Sequence, residues 1–200
     1  MNGETTGSYE GASYEFMMGR WSMLVGERFI DWIAVPHGVR WLDVGCGNGA
    51  FTELIVKRCI PSKVHAFDTT AAQLDYARKR LPAGAPVTWT ESDALGLPVA
   101  DASSDVAVMA LVLFHLSEPA VGVAEMCRAV RSGGVVAAYH WDMLGGGFPL
   151  ADIGDEMHRL GVPVRPPPSI AASTIDVSTA LWREAGLLQV RTCQIIVQRR

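Results

Sequence analysis

The residues of this chain best suited to chemistry are a glycine turn and two acids well beyond it. The stretch Arg40-Trp41-Leu42-Asp43-Val44-Gly45-Cys46-Gly47-Asn48-Gly49-Ala50-Phe51 reads as a buried strand, a tight turn and the first turn of a helix. Glycine at 45, 47 and 49 permits positive φ and places no Cβ in the path of a ligand. A turn of this kind at the carboxyl end of a parallel strand is where open α/β sheets bind small molecules. Asp68 ends the apolar run Lys63-Val64-His65-Ala66-Phe67, about 20 residues past the glycines, where a carboxylate can accept two hydrogen bonds from a ribose diol. It could equally cap the next helix together with Thr69 or Thr70. Asp93, after the run Val87 to Glu91, can accept from an exocyclic amine while Ala94 and Leu95 lie against a purine face, or it can be a plain turn aspartate.

The glycine spacing does not choose the ligand, because Gly45, Gly47 and Ala50 also satisfy the dinucleotide pattern G-x-G-x-x-G/A. His115 and His140 fall near expected strand ends. Either could serve as a general base, which is needed only for an acceptor that arrives protonated; either could also be an ordinary packed or exposed histidine. Met17, Met18, Trp21, Trp141 and Phe148 are candidate lining for an apolar or planar acceptor, with core packing as the competing role.

These side chains need an alternating scaffold, and the periodicity supplies one. A helix is expected over Tyr14 to Ile33, with Met18, Trp21, Val25, Phe29 and Trp32 on one face. It is either a plain packing helix on the sheet or one whose first residues, Tyr14 to Trp21, also roof the ligand site. Strand and helix then alternate: Val39 to Val44, a helix through Phe51 and Cys59, Lys63 to Asp68, Ala71 to Leu81, Val87 to Glu91, and the continuous apolar run Asp105 to Leu113, as expected of a strand covered on both faces. Ser117 is expected to cap a helix with Pro119 in its first turn. Ser132-Gly133-Gly134 closes that helix and Val135 to His140 forms a fifth strand. Beyond it come a loop at 141–148, a helix over Leu150 to Leu160, a Pro-rich turn, a helix capped by Asp176 or Ser178, and a last strand over Val190 to Val197.

Bulk properties narrow the function classes. Two hundred residues, 49% apolar and 19% charged, suit one domain with a real core rather than a disordered chain. The net charge of −4 offers no basic stripe for nucleic acid; Arg78-Lys79-Arg80 reads as the cationic end of a helix. The four cysteines have no metal-ligand spacing and no His partner cluster, so no metal is expected and the thiols read as reduced and cytoplasmic. Neither a secretory leader nor an apolar run long enough for a membrane span is visible.

Leu42-Asp43-Val44-Gly45-Cys46-Gly47-Asn48-Gly49, Phe67-Asp68, Ser92-Asp93-Ala94-Leu95-Gly96-Leu97-Pro98, Ser104-Asp105-Val106, Leu113-Phe114-His115-Leu116 and Arg131-Ser132-Gly133-Gly134 occur in this order. In that order the chain resembles the class I S-adenosylmethionine (SAM)-dependent methyltransferases, in the small-molecule branch typified by ubiquinone biosynthesis. The resemblance covers about Trp41 to Tyr139. It implies a doubly wound, Rossmann-like, mostly parallel α/β sheet, SAM as cofactor, and a small-molecule methyl acceptor as partner. It further implies that backbone of Gly45, Cys46 and Gly47 runs along the methionine part of SAM and that Asp43 holds the loop and the amino end, directly or through water. Asp68, with Thr69 beside it, takes the ribose; Asp93 and Ala94 hold the adenine; Ala110 and Leu111 lie near the sulfonium. Arg20, from the N-terminal roof, is the candidate partner for the SAM carboxylate.

On this reading 1–38 is a lid and helix, 39–142 the cofactor core, 143–175 a substrate-side insertion and 176–200 the last helix and strand. The family's closing antiparallel hairpin shows only its first strand here. Either the sheet edge is open, a second copy supplies the missing strand in a homodimer, or the chain is a fragment. Two other function classes are weighed: a nicotinamide-dependent oxidoreductase using the same loop, for which Gly49, Asp93 and Leu95-Gly96-Leu97-Pro98 have no role, and a non-catalytic SAM-fold module.

Overall fold

The computed structural model describes residues 18–198. The expected roof residues Tyr14 to Met17 lie outside the described residues. From there the order is α1 (Arg20–Ile33), β1 (Arg40–Val44), α2 (Ala50–Cys59), β2 (Lys63–Asp68), α3 (Ala71–Arg78), β3 (Val87–Glu91), β4 (Ser104–Ala110), α4 (Pro119–Ala129), β5 (Val130–Tyr139), α5 (Ala151–Arg159) and α6 (Ile175–Glu184). The strands form one five-stranded sheet in the order β3-β2-β1-β4-β5, and every pairing is parallel. The strand order reverses at β1, so the crevice between the carboxyl ends of β1 and β4 is the expected ligand position.

Period-two alternation splits the core between the two faces of the sheet. Trp41 faces a cluster with Val25, Phe29, Phe51 and Ile55; Leu42 and Val44 face another with Met109, Leu113, Val123 and Met126. Phe29, Phe51 and Tyr139 stack at centroid distances of 4.9 to 6.0 Å, which locks α1 and α2 onto the end of β5. Val106 to Met109 are buried without interruption, as required of a strand with helices on both sides.

Asp105 ties the other end of the sheet together. It accepts from the Arg40 backbone N–H at 2.8 Å and from the Arg40 guanidinium at 3.0 and 3.2 Å, while Arg131 Nε donates to its Oδ1 at 2.6 Å. One carboxylate therefore joins the starts of β1, β4 and β5. The Arg40 hydrogen bonds hold its pKa well below the ordinary carboxylate range.

Several boundaries differ from the sequence expectation. β5 begins at Val130 rather than Val135, directly after α4, and Ser132-Gly133-Gly134 belongs to the strand. Ser104 pairs with Val130 and Val106 with Val135, so the intervening residues of β5 bulge outward. Gly134 is needed there, since a Cβ would lie 2.5 Å from the Asp105 carbonyl oxygen. β4 stops at Ala110 because Leu111 turns to φ 63° and Leu113–His115 forms a 3-10 turn. The residue before α4 is Glu118, without a side-chain cap, rather than Ser117. α3 ends at Arg78 instead of Leu81. α6 is capped by Thr174, whose oxygen accepts from Val177 N, and not by Asp176 or Ser178.

The expected strand over Val190 to Val197 does not form. A strand needs a ladder partner. The outer edge of β5 is met instead by Trp182, whose Nε1 donates to the Val136 carbonyl at 2.8 Å. No helix among the described residues is long and apolar enough to cross a membrane.

The Asp105 clamp gives a pH-dependent prediction. A depressed folded-state pKa contributes stability that is present above the unfolded-state value and lost as pH falls through the folded one. Asp105→Asn should lower stability at neutral pH by about 1 kcal/mol, a modest figure because both arginines are partly exposed. The gap to wild type should narrow once the pH drops below about 4. Thermal melts across an acid-to-neutral pH series would check this; a gap that stays constant on acidification would contradict it.

Candidate functional site

The glycine turn is held from below by β2. Gly45 N and Cys46 N both donate to the Phe67 carbonyl at 2.8 Å, and Gly49 N closes the turn on the Cys46 carbonyl at 2.9 Å. Val44 lies opposite Phe67 in the parallel register, so these bonds continue the ladder past the end of β1. Gly45 is dictated by a close approach, because a Cβ there would sit 2.4 Å from Val112 Cγ2. Gly47, at φ 51°, faces open space: a Cβ built on it meets nothing within 4 Å. One glycine seats the turn and the other leaves room beside it.

Asp68 reaches into this turn. One oxygen accepts from Gly47 N at 2.8 Å and the other from Thr70 N at 2.9 Å. Asp68 is half-buried and braces the turn and the Thr70 N–H, while the helix after it has Thr70 at its N-cap position with no side-chain cap. Two accepted bonds leave lone pairs on both oxygens. Thr69 is exposed next to it.

Asp93 follows from the next strand. Asp68 pairs with Glu91 across β2 and β3, and Ser92 N donates to the Asp68 carbonyl at 3.0 Å. Asp93, one residue on, stands at the same sheet edge, exposed, with one oxygen accepting from Leu95 N at 2.9 Å. Ala94 is buried behind it.

Asp43 is fully buried. Thr52 Oγ1 donates to its Oδ2 at 2.6 Å, and its Oδ1 has no partner among the described residues. Burial, reinforced by the nearby Asp68 charge and opposed by the Thr52 hydrogen bond, lifts its pKa to about 7. An orphaned buried oxygen beneath an open glycine turn suits a ligand that brings a cationic hydrogen-bond donor. Cys46 is different: burial pushes its thiol far upward, so it is inert at neutral pH and its contribution is backbone.

Sequence reasoning missed three participants. Thr52 carries no spacing signal that would link it to Asp43. Val112 is visible only once Leu111 has turned the chain. Arg80 reads in the sequence as part of a cationic helix end; its Nε instead donates to the Asn48 carbonyl at 2.9 Å and its Nη1 pairs with Glu53 at 3.2 Å, bracing the turn from outside. The basic triplet Arg78-Lys79-Arg80 is the available hint.

The remaining candidates divide. Ala110 ends β4 and Leu111 follows it, one residue before the Val112 that meets Gly45; Leu111 N donates to the Tyr139 carbonyl at 2.9 Å, so His140 continues from the same edge. A groove of about 1120 Å³ runs along the outer side of β5 and is lined by Trp21, His140, Trp141, Asp142 and Phe148 among others. Gly45, Asp68, Asp93 and His115 do not line it. Met18 is buried in the core with Phe29 and Trp141 rather than in the groove. His115 is exposed, its ring 4.4 Å from that of Phe114. Arg20 is exposed at the start of α1 and makes no hydrogen bond to the turn; Met17 lies outside the described residues. No group of potential metal ligands is found among the described residues.

Residues 42–138 match the family described as "Methyltransferase domain". The ubiquinone/menaquinone biosynthesis C-methyltransferase of Roseobacter denitrificans is 30% identical over 121 residues, which is 59% of this chain and 48% of that protein. The malonyl-[acyl-carrier protein] O-methyltransferase of Serratia marcescens is 28% identical over 168 residues, 84% of this chain and 62% of that protein. The chain thus spans about half to three-fifths of these curated relatives. The crystal structure of a SAM-dependent methyltransferase from Aquifex aeolicus shares the fold at a TM-score of 0.67 and 21% identity, covering 89% of this chain and 88% of that one.

Asp43 yields a prediction for the ligand-free protein. A carboxyl whose folded pKa is raised to about 7 holds its proton more tightly folded than unfolded, so stability falls as pH rises from about 4 to 7. The substitution Asp43→Asn keeps an acceptor for Thr52 and removes the charge. The variant should be more stable than wild type above about pH 8, by roughly 1–3 kcal/mol, with the advantage shrinking near about pH 5. Denaturant titrations at both pH values measure it; a variant weaker than wild type at both would refute the buried-charge cost.

Proposed function

We propose that this chain is a class I S-adenosylmethionine-dependent methyltransferase that moves the methyl group of SAM to a small-molecule acceptor, a reading supported by the methyltransferase-domain match over residues 42–138 and by the methyltransferase relatives. The observation that carries the reading is the Asp68 carboxylate bonded to the Gly47 N–H, which puts a diol-binding acid at the lip of the glycine turn.

SAM, when bound, supplies an electrophilic methyl carbon on a sulfonium. The residues present fit such a cofactor. Backbone of Gly45, Cys46 and Gly47 lines its methionine part. Asp43 Oδ1, buried without a partner among the described residues, would hold the ammonium directly or through water. Asp68 uses its remaining lone pairs for the ribose hydroxyls with Thr69 beside it, and Asp93 and Ala94 take the adenine. Ala110 and Leu111 stand near the sulfonium, and Arg20 is assigned to the carboxylate. The protein then has two tasks, alignment and exclusion of water; alignment alone can supply roughly 7–11 kcal/mol of the barrier.

Residues 39–142 are assigned to the cofactor core, 143–175 to the acceptor side, 1–38 to the lid and helix, and 176–200 to the terminal helix and tail. The protein is placed in the cytoplasm on its cysteine usage. A homodimer formed through the β5 edge would have to displace Trp182 from the Val136 carbonyl. A nicotinamide reading of the same turn leaves the unpartnered buried oxygen of Asp43 and the acid at 93 without a task.

Thermal-shift measurements with SAM, S-adenosylhomocysteine and NAD separate these readings. A ligand at a hundred times its Kd adds about 2.7 kcal/mol, so S-adenosylhomocysteine should raise Tm by several degrees and NAD should not. Asp68→Ala should weaken S-adenosylhomocysteine binding at least about 10-fold, the worth of about 1.4 kcal/mol of hydrogen bonding. Stabilisation by NAD alone, or unchanged binding in Asp68→Ala, would overturn the proposal.

A further inference from the structure

The amino ends of the strands carry a cluster of positive charge, at the opposite end of β1 and β2 from the glycine turn. Arg40 and Lys63 are register partners across the parallel β1–β2 pair, so their side chains leave the same face of the sheet. Arg131 stands at the start of β5. Three cations thus share one carboxylate along this edge, and that carboxylate, Asp105, is engaged on both oxygens by Arg40 and Arg131. Lys63 is exposed and makes no ion pair among the described residues.

Arg40, Lys63, His65 and Ser103 line a cavity of about 170 Å³. A single water takes up about 30 Å³ of liquid, so the space suits a larger polyatomic ligand. Ser103 Oγ is buried with no hydrogen-bond partner among the described residues, and a buried hydroxyl of this kind calls for a partner. Arg40 gives Nε and Nη2 to Asp105, which leaves Nη1 without a hydrogen-bond partner among the described residues. His65 is already committed: its Nε2 lies 2.8 Å from Thr90 Oγ1 and its ring 4.1 Å from that of Phe67. Burial, helped by the Lys63 charge, lowers its pKa and keeps the ring neutral at neutral pH. Three donors therefore meet at the cavity without an acceptor: an ammonium, a guanidinium N–H and a hydroxyl.

We propose that this cavity binds a phosphate group, free or as a phosphomonoester, with Lys63 Nζ, Arg40 Nη1 and Ser103 Oγ donating to its oxygens. The site is separate from the glycine turn and does not depend on the methyl-transfer reading. A dianion balances the positive charge that three cations leave over one carboxylate. Lys63 and Arg40 repel one another across the ladder, and an anion between them replaces that repulsion with charge-assisted hydrogen bonds. A cationic ligand would add to the repulsion, and an apolar one would leave the Ser103 hydroxyl unpaired. A carboxylate brings half the charge and only two acceptor oxygens for three donors. The acids nearby do not oppose the anion strongly: Asp105 is neutralised by its two arginines, and Asp101 is exposed and paired with Arg128 at 2.7 Å. Binding would fasten the start of β1 to the start of β2 and raise the stability of the fold.

Thermal melts with inorganic phosphate, at constant ionic strength set by chloride, test the site, with phosphorus NMR of the same samples reporting the bound ion. Wild type should show a Tm rise that saturates and a phosphorus signal that shifts with one ion bound per chain. Lys63→Met, a change at an exposed position, should weaken this binding at least about 10-fold, the size of one lost charge-assisted hydrogen bond. Ser103→Ala should weaken it too, while Lys79→Met, which removes an exposed cation at the end of α3, should leave it unchanged. Glycerol 3-phosphate is the second arm. Binding with the same Lys63 dependence would identify a phosphomonoester ligand, and binding of inorganic phosphate alone would identify the free ion. A Tm rise that never saturates, an equal loss in Lys79→Met, or full binding in Lys63→Met, as expected if phosphate sits on the N–H groups of the glycine turn, would each overturn the proposal.

Discussion

The parallel pairing of β1 with β2 governs the ligand edge. Val44 opposite Phe67 leaves the Phe67 carbonyl where two successive turn N–H groups reach it, and Asp68, the next residue, meets the third turn residue, Gly47. A slip of one residue in this register would send Asp68 to the other face of the sheet and leave the turn without its anchor. The remainder of the edge is built outward from this pair. β3 brings Asp93 through its own register with β2, β4 brings Val112 against Gly45, and β5 brings His140 through the Tyr139 carbonyl.

Asp43 shows that the edge is not arranged for stability. A carboxyl this buried, with one oxygen unpaired among the described residues, costs folding free energy that an apolar residue would not. It stands on β1 directly before the turn, where the ammonium of the proposed cofactor would offset that cost. The rest of the sheet compensates. Asp105 joins three strand starts at the opposite end, and the Phe29, Phe51 and Tyr139 cluster fastens both N-terminal helices to β5.

Much of this is legible in the residue pattern, and the failures have physical causes. Strands β1 to β4 and the helices between them announce themselves by apolar runs and helical spacing, and the glycine turn with Asp68 can be read from type and distance along the chain. Thr52 and Arg80 cannot, because their partners are chosen by helix packing, which no local pattern encodes. Ser132-Gly133-Gly134 has the composition of a helix stop; the close approach of Gly134 to the Asp105 carbonyl makes it a strand bulge. Val190 to Val197 has strand-like composition, yet with Trp182 on the β5 edge no ladder partner is offered. Met18 illustrates the ambiguity of apolar side chains near a site: its spacing fits both a pocket wall and the core, and it is core.

Two regions therefore share one sheet edge: a polar turn of acids and backbone N–H groups, and an aromatic groove along β5 ending at His140. Leu111 and Val112 lie between them, Leu111 N on the Tyr139 carbonyl and the Val112 side chain against Gly45. A crystal structure of the protein with S-adenosylhomocysteine bound tests this arrangement most directly. It should show both ribose hydroxyls within hydrogen-bond distance of the Asp68 carboxylate and the ammonium on Asp43, directly or through water. A nucleoside lying along β5, away from the glycine turn, would contradict it.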